Sequence, residues 1–133
     1  MKRIIPMVIL LLLLCCGCGG DQEAEQEEST MGYQIITQEE AKRMMEEEDV
    51  LILDVRQPHE FESGHIPNAV LLTLQTIDEE TAAAVIPAKD TTLLIYCRSG
   101  NRSKTASALL SEMGYTQIYE FGGINQWPYE IEE

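Results

Sequence analysis

Leu93-Leu94-Ile95-Tyr96-Cys97-Arg98-Ser99-Gly100-Asn101-Arg102-Ser103 passes from an apolar run through a short polar loop into a helix start. Residues 93–96 are apolar without alternation, as in a strand covered on both faces of a parallel sheet. Ser103 is expected to cap the helix that follows, Lys104-Thr105-Ala106-Ser107-Ala108-Leu109-Leu110. Cys97 lies between the two, with Gly100 in the loop and Arg98 and Arg102 flanking it. A loop that curls into a helix N-terminus turns several N–H groups towards its own centre. Such a nest, with the positive end of the helix dipole, favours an anion. Two guanidinium groups add full positive charge. All three effects favour a thiolate, so Cys97 is expected to be a nucleophile and not an inert buried thiol.

Outward from this stretch, strands and helices alternate. Residues 33–36 read as a short strand, and Thr37-Gln38-Glu39-Glu40 as a capping box opening a helix to residue 47. Ala41, Met44 and Met45 share one face of that helix and are expected in the core. Residues 50–55 and 69–72 read as further strands, with a helical turn at 59–63 between them. A helix is expected over 77–86, a strand over 92–96, a helix over 103–113 stopped by Gly114, and a short strand over 117–119. A last turn is expected over 124–127. The alternation predicts a single α/β domain with a mainly parallel five-stranded sheet flanked by helices on both faces. Ligands of such sheets bind beyond the carboxyl ends of the strands, where Cys97 and Asp54-Val55-Arg56 both fall.

At these residues the chain resembles a known family. Cys97 to Ser103 looks like the active-site loop of single-domain rhodanese-like sulfurtransferases. Leu53-Asp54-Val55-Arg56-Gln57-Pro58-His59-Glu60-Phe61-Glu62-Ser63-Gly64-His65-Ile66-Pro67-Asn68-Ala69 is similar to that family's upstream signature. Gly122-Gly123-Ile124-Asn125-Gln126-Trp127 is like its closing Gly-Gly-x-x-x-Trp. The three stand in the family's order. The resemblance implies that Cys97 takes a sulfane sulfur from a donor such as thiosulfate or a polysulfide. The resulting persulfide is then passed to a thiophilic acceptor such as a thiol or a redoxin, with no cofactor. The loop residues Arg98, Ser99, Gly100, Asn101 and Arg102 would bind the donor or the outer sulfur.

Arg98 faces either the donor or solvent. Arg102 either holds the donor or ties the loop to Asp54. Asp54, Arg56 and Ser103 are expected to brace the site. His65, which could be taken for a general base, looks structural within this motif, and Trp127 is expected in the core or at a lid edge. Related phosphatases and arsenate reductases of this fold use Cys-x5-Arg. The spacing here, from Cys97 to Arg102, is Cys-x4-Arg, and the smaller loop suits a sulfur atom better than a tetrahedral oxyanion. The same residues would also serve a non-catalytic module that carries persulfide or senses sulfide.

The chain has 133 residues and a formal net charge of −14, from 9 basic and 23 acidic residues. A nucleic-acid partner wants a basic face and is not expected. The two histidines, His59 and His65, have no cysteine at a metal-ligand spacing, so no metal site is expected. Three of the four cysteines, Cys15, Cys16 and Cys18, cluster near the N-terminus. They follow Lys2, Arg3 and an apolar run over residues 4–14, which is the length of a signal-peptide h-region and short for a spanning helix. Leu14-Cys15-Cys16-Gly17-Cys18 resembles a bacterial lipoprotein signal. Cleavage after residue 17 and lipidation of Cys18 are expected, with Cys15 and Cys16 as alternatives. Residues 18–30 are acidic with no large apolar side chain after Cys18, and are expected to be a disordered tether. Residues 31–133 would form the domain, held outside the cytoplasmic membrane by lipid.

Overall fold

The computed structural model describes residues 31–133; the expected signal peptide, the lipidation site and the acidic tether lie outside the described residues. Five strands and four helices follow one another as β1 (Gln34–Ile35), α1 (Gln38–Glu47), β2 (Leu51–Asp54), α2 (Pro58–Ser63), β3 (Val70–Leu71), α3 (Glu79–Val85), β4 (Thr92–Cys97), α4 (Asn101–Glu112) and β5 (Gln117–Gly123). Single 3-10 turns occupy Leu74–Thr76 and Ile124–Gln126. The sheet order is β1-β5-β4-β2-β3, and every pairing is parallel.

The central strand β4 explains the order. Leu93, Leu94, Ile95 and Tyr96 are each 0 % exposed, so both faces of this strand are covered. On one face Leu93 and Ile95 pack with Ala82 and Ile86 of the α3 segment and with Ala106 and Leu110 of α4. On the other, Leu94 and Tyr96 pack with Ala41 and Met44 of α1, Ile66 and Phe121. Burying each such large apolar side chain contributes about 1.5–3 kcal/mol, and the two clusters place helices on both sides of the sheet.

Local rules account for most helix starts. Thr37 Oγ1 accepts the Glu40 N–H at 3.0 Å, as the capping pattern predicts. Pro58 opens α2 at a position where its missing N–H costs nothing. The helix expected over 77–86 is shorter, because Asp78 caps it by accepting the Thr81 N–H at 2.8 Å. The preceding residues turn as a 3-10 segment.

Two expectations are corrected. Ser103 is not an N-cap: α4 begins at Asn101, and Gly100 caps it with a left-handed φ of 109°. Strand β5 also runs on to Gly123 instead of ending near residue 119. Ile95 pairs with Glu120 but Cys97 with Gly123, so β5 carries one more residue than β4 over this interval. That bulge lets the strand absorb two glycines that would ordinarily end it.

Candidate active site

Cys97 is the last residue of β4, and the chain then turns sharply through Arg98, Ser99 and Gly100 into α4. The turn is tight enough to bring two backbone amides onto the sulfur. Gly100 N–H donates to Cys97 Sγ at 3.1 Å and Ser103 N–H donates at 3.3 Å. The Ser103 hydroxyl lies 3.4 Å from the same sulfur. Cys97 is 1 % exposed, while Arg98, Ser99 and Asn101 are exposed around it. The sulfur is thus buried with the amides turned inward, at the positive end of a twelve-residue helix.

The loop keeps its shape because β5 passes close beneath it. An added Cβ on Gly123 would lie 2.0 Å from the Arg98 carbonyl oxygen. Asn125 N–H donates to that same carbonyl at 3.1 Å. Gly123 therefore serves the site by close approach, not by turn formation.

Arg102 is placed otherwise than by a tie to Asp54. Its guanidinium grips Glu60 of α2 through two bonds, of 2.8 and 3.0 Å. The Arg102 contact, opposed by burial and aided by the Gln57 N–H, holds the Glu60 carboxyl down at about 2. The same contact raises Arg102 further, with Cys97 adding to the effect. Asp54 instead holds Arg56, accepting from Nε at 2.9 Å and Nη2 at 2.7 Å, and accepts the Tyr96 hydroxyl at 2.6 Å. Arg56 also donates to the Gly64 carbonyl at 2.7 Å. Burial pulls Arg56 down, but the bonds and charge of Asp54 outweigh it and leave it raised. Asp54 and Arg56 thus brace the segment between β2 and α2 and do not touch the sulfur.

His65 stacks on Phe61 at 3.9 Å between ring centroids, and its Nδ1 lies 3.0 Å from the Phe61 carbonyl. Trp127 packs against Phe121 and Tyr129. Neither contacts Cys97. A cavity of about 390 Å³ lined by Lys42, Met45, Glu46, Asp49, Trp127 and Glu130, among others, does not reach Cys97 and offers no nucleophile.

Three contributors went unseen in the sequence. Glu60 and Tyr96 each act across 42 residues, and nothing local announces them. Glu120 did leave a signal: it shares a strand face with Ile118 in the apolar run Ile118-Tyr119-Glu120-Phe121, so it points inward. It is 0 % exposed and accepts from Ser103 Oγ.

The chain is thus a parallel α/β protein in which one central strand ends in a cysteine ringed by peptide amides at a helix N-terminus, surroundings that favour an anionic sulfur. Residues 37–129 match the model of the Rhodanese-like domain, and the chain belongs to that family. It is 39 % identical over 72 residues to the thiosulfate sulfurtransferase PspE of Escherichia coli, covering 54 % of this chain and 68 % of that one. It is 38 % identical over 78 residues to a tRNA uridine(34) hydroxylase of Chlamydia muridarum, where the match covers 55 % of this chain and 24 % of that protein. The crystal structure of a rhodanese-like domain protein from Staphylococcus aureus superposes with a TM-score of 0.64 at 32 % identity, covering 74 % of this chain and 95 % of that one.

Proposed function

We propose that this chain is a sulfurtransferase that moves sulfane sulfur from thiosulfate, or a polysulfide, to a thiol or redoxin acceptor through a persulfide on Cys97. The observation that carries the reading is the pair of amides, from Gly100 and Ser103, aimed at Cys97 Sγ. They favour sulfur in its anionic form, which is the form that attacks. In the first step the Cys97 thiolate bonds to the outer sulfur of thiosulfate. The donor's S–S bond breaks and sulfite leaves with the electron pair. In the second an acceptor attacks the outer sulfur of the persulfide and regenerates the thiolate. The exposed Arg98, Ser99 and Asn101 form the rim over which an anionic donor arrives, and Gly100 supplies the curl of the loop. Arg102 holds the loop through Glu60 while contributing positive charge. Splitting one transfer into two such steps is the gain of covalent catalysis.

Full-length protein in detergent is expected to transfer sulfur from thiosulfate to cyanide, and Cys97→Ala and Cys97→Ser are expected to abolish the transfer. Treatment with donor should add one sulfur, about 32 Da, to the peptide containing Cys97. Full activity in the serine variant would overturn the covalent scheme. An adduct that forms but is never passed on would identify a persulfide carrier instead.

For location, we infer a lipid anchor at Cys18 that places residues 31–133 outside the cytoplasmic membrane. The support is the basic Lys2-Arg3 start, the apolar run and the cysteine cluster. The net charge of −14 gives no attraction to an anionic bilayer, so the lipid does the holding. Detergent-phase partitioning of the expressed chain should be lost in Cys18→Ala. Retention in a variant lacking Cys15, Cys16 and Cys18 together would refute the anchor.

A further inference from the structure

The sulfur has a second ionisable neighbour that the transfer reaction above does not use. Glu120 Oε2 accepts from Ser103 Oγ and from the Gly122 N–H, the latter at 3.0 Å. Its Oε1 has no hydrogen-bond partner among the described residues. Lys104 Nζ stands 3.9 Å from Oε1 and is half exposed. Ser103 Oγ lies 3.4 Å from Cys97 Sγ, so one hydroxyl sits between a thiol and a carboxyl group. The carbonyls of Gly100 and Gly122 also lie within 3.1 and 3.5 Å of it.

A hydroxyl has one proton to give. A charged carboxylate claims it ahead of neutral carbonyls. While Glu120 is ionised, Ser103 gives its proton to Glu120 and can only accept from the thiol. For Ser103 to donate to an anionic sulfur, Glu120 must hold a proton of its own. We propose that Glu120 is a positioning residue that shares one proton with Cys97 through Ser103. When the thiol ionises, the S–H bond breaks and its proton goes to Ser103 Oγ. The proton already on Ser103 goes to Glu120 Oε2, forming the new O–H bond. Thiol plus carboxylate become thiolate plus carboxylic acid, with no net change of charge and no redox partner. The site thus holds one negative charge, on sulfur or on carboxyl, since two in one desolvated space repel.

Among the described residues, α4 brings Lys104 beside Glu120 and Arg102, whose charge is coupled to Cys97, and the loop brings Arg98 next to Cys97 in the chain. From α1 comes the neutral Gln38, bonded to the Phe121 and Gly123 carbonyls. Strand β1 brings Ile35 opposite Glu120 and β4 brings Ile95, while Cys97 pairs with Gly123.

The inference takes Cys97 as the reacting sulfur, as proposed above, but is tested on ionisation and not on sulfur transfer. In full-length protein, iodoacetamide alkylation of the Cys97 peptide is followed against pH by mass spectrometry. Glu120→Gln keeps an acceptor for Ser103 but removes the competing charge. Its profile should move to lower pH, with alkylation near neutrality faster by about three- to tenfold. A profile superimposed on the wild type, or moved to higher pH, overturns the proposal.

Wild-type protein gives a second measurement that needs no variant. At a pH where ultraviolet absorbance shows the thiolate, difference infrared spectra should contain a buried carboxylic-acid C=O band that alkylation of Cys97 removes. Absence of an alkylation-sensitive band overturns the proposal equally. Loss of sulfur transfer with both signatures intact would count against the sulfurtransferase reading alone. Normal transfer without them would count against the shared proton alone.

Discussion

Asp54 is a carboxylate at 0 % exposure, and its survival there depends on being fully engaged. The Arg56 backbone N–H and guanidinium and the Tyr96 hydroxyl all donate to it. Tyr96 in turn accepts the Ile66 N–H at 3.0 Å, so one phenol joins two segments. Burial first, and then the nearby Asp54 charge, push the Tyr96 hydroxyl far above its ordinary range, so it stays a donor at any accessible pH. Removing Asp54 leaves a buried guanidinium without its counter-charge, a loss of roughly 3–5 kcal/mol. Tyr96→Phe removes a single donor and acceptor and should cost about 1–2 kcal/mol. Urea denaturation of Asp54→Ala and Tyr96→Phe tests the ranking; a loss in Asp54→Ala no larger than in Tyr96→Phe would mean that the pair is not holding the fold. The Asp-x-Arg spacing made half of this network legible in the sequence, because its partners are two residues apart. Tyr96 read only as an apolar strand residue, since its hydroxyl finds a partner through the register of β2 against β4.

At the level of elements, the site exists because a loop and a strand end share very little space. Gly123 carries this close approach: its backbone is extended, with φ −131°, so the glycine is required by crowding and not by conformation. Gly123→Ala must push the Arg98-Ser99 backbone aside, at about 1–3 kcal/mol. It should lower the proposed sulfur transfer at least about tenfold, because moving a reacting group by about an ångström is enough for that. Gly114→Ala is the control. Gly114 has a φ of 102° at the far end of α4, where an added Cβ meets only the Lys89 side chain at 3.6 Å. It should cost about 1 kcal/mol in backbone strain and leave transfer intact. Equal effects of the two variants on transfer would show that the approach beneath the loop does not matter. The Cys97 loop was legible because strand, glycine and helix start are consecutive residues. Ser103 obeys the local capping rule, yet Gly100 turns the chain before it and Glu120 takes the Ser103 hydroxyl. A preference that acts over three residues gave way to a contact made across seventeen.

For the molecule as a whole, acidity acts in two opposing ways. With 23 acidic and 9 basic residues, the chain repels itself at neutral pH. Protonating carboxylates first relieves that repulsion and stabilises the folded state. Glu60 works against this trend. Its carboxyl is held at about 2 in the fold, against an ordinary 4.5, by the Arg102 grip that ties α2 to α4. A depressed carboxyl contributes stability that is complete above about pH 4.5 and is lost as pH falls through about 2. Both groups keep contact with water, so a contribution of about 1 kcal/mol is appropriate. The two effects separate when wild type is compared with Glu60→Gln, because both proteins share nearly the same global repulsion. Urea denaturation in steps from pH 7 to pH 3 should give a gap of about 1 kcal/mol in favour of wild type. That gap should hold to about pH 5, then narrow steadily as Glu60 in the unfolded chain becomes protonated. A gap that stays constant down to pH 3 would mean that the ion pair adds nothing in solution, and that α2 is held to the active-site helix by packing alone.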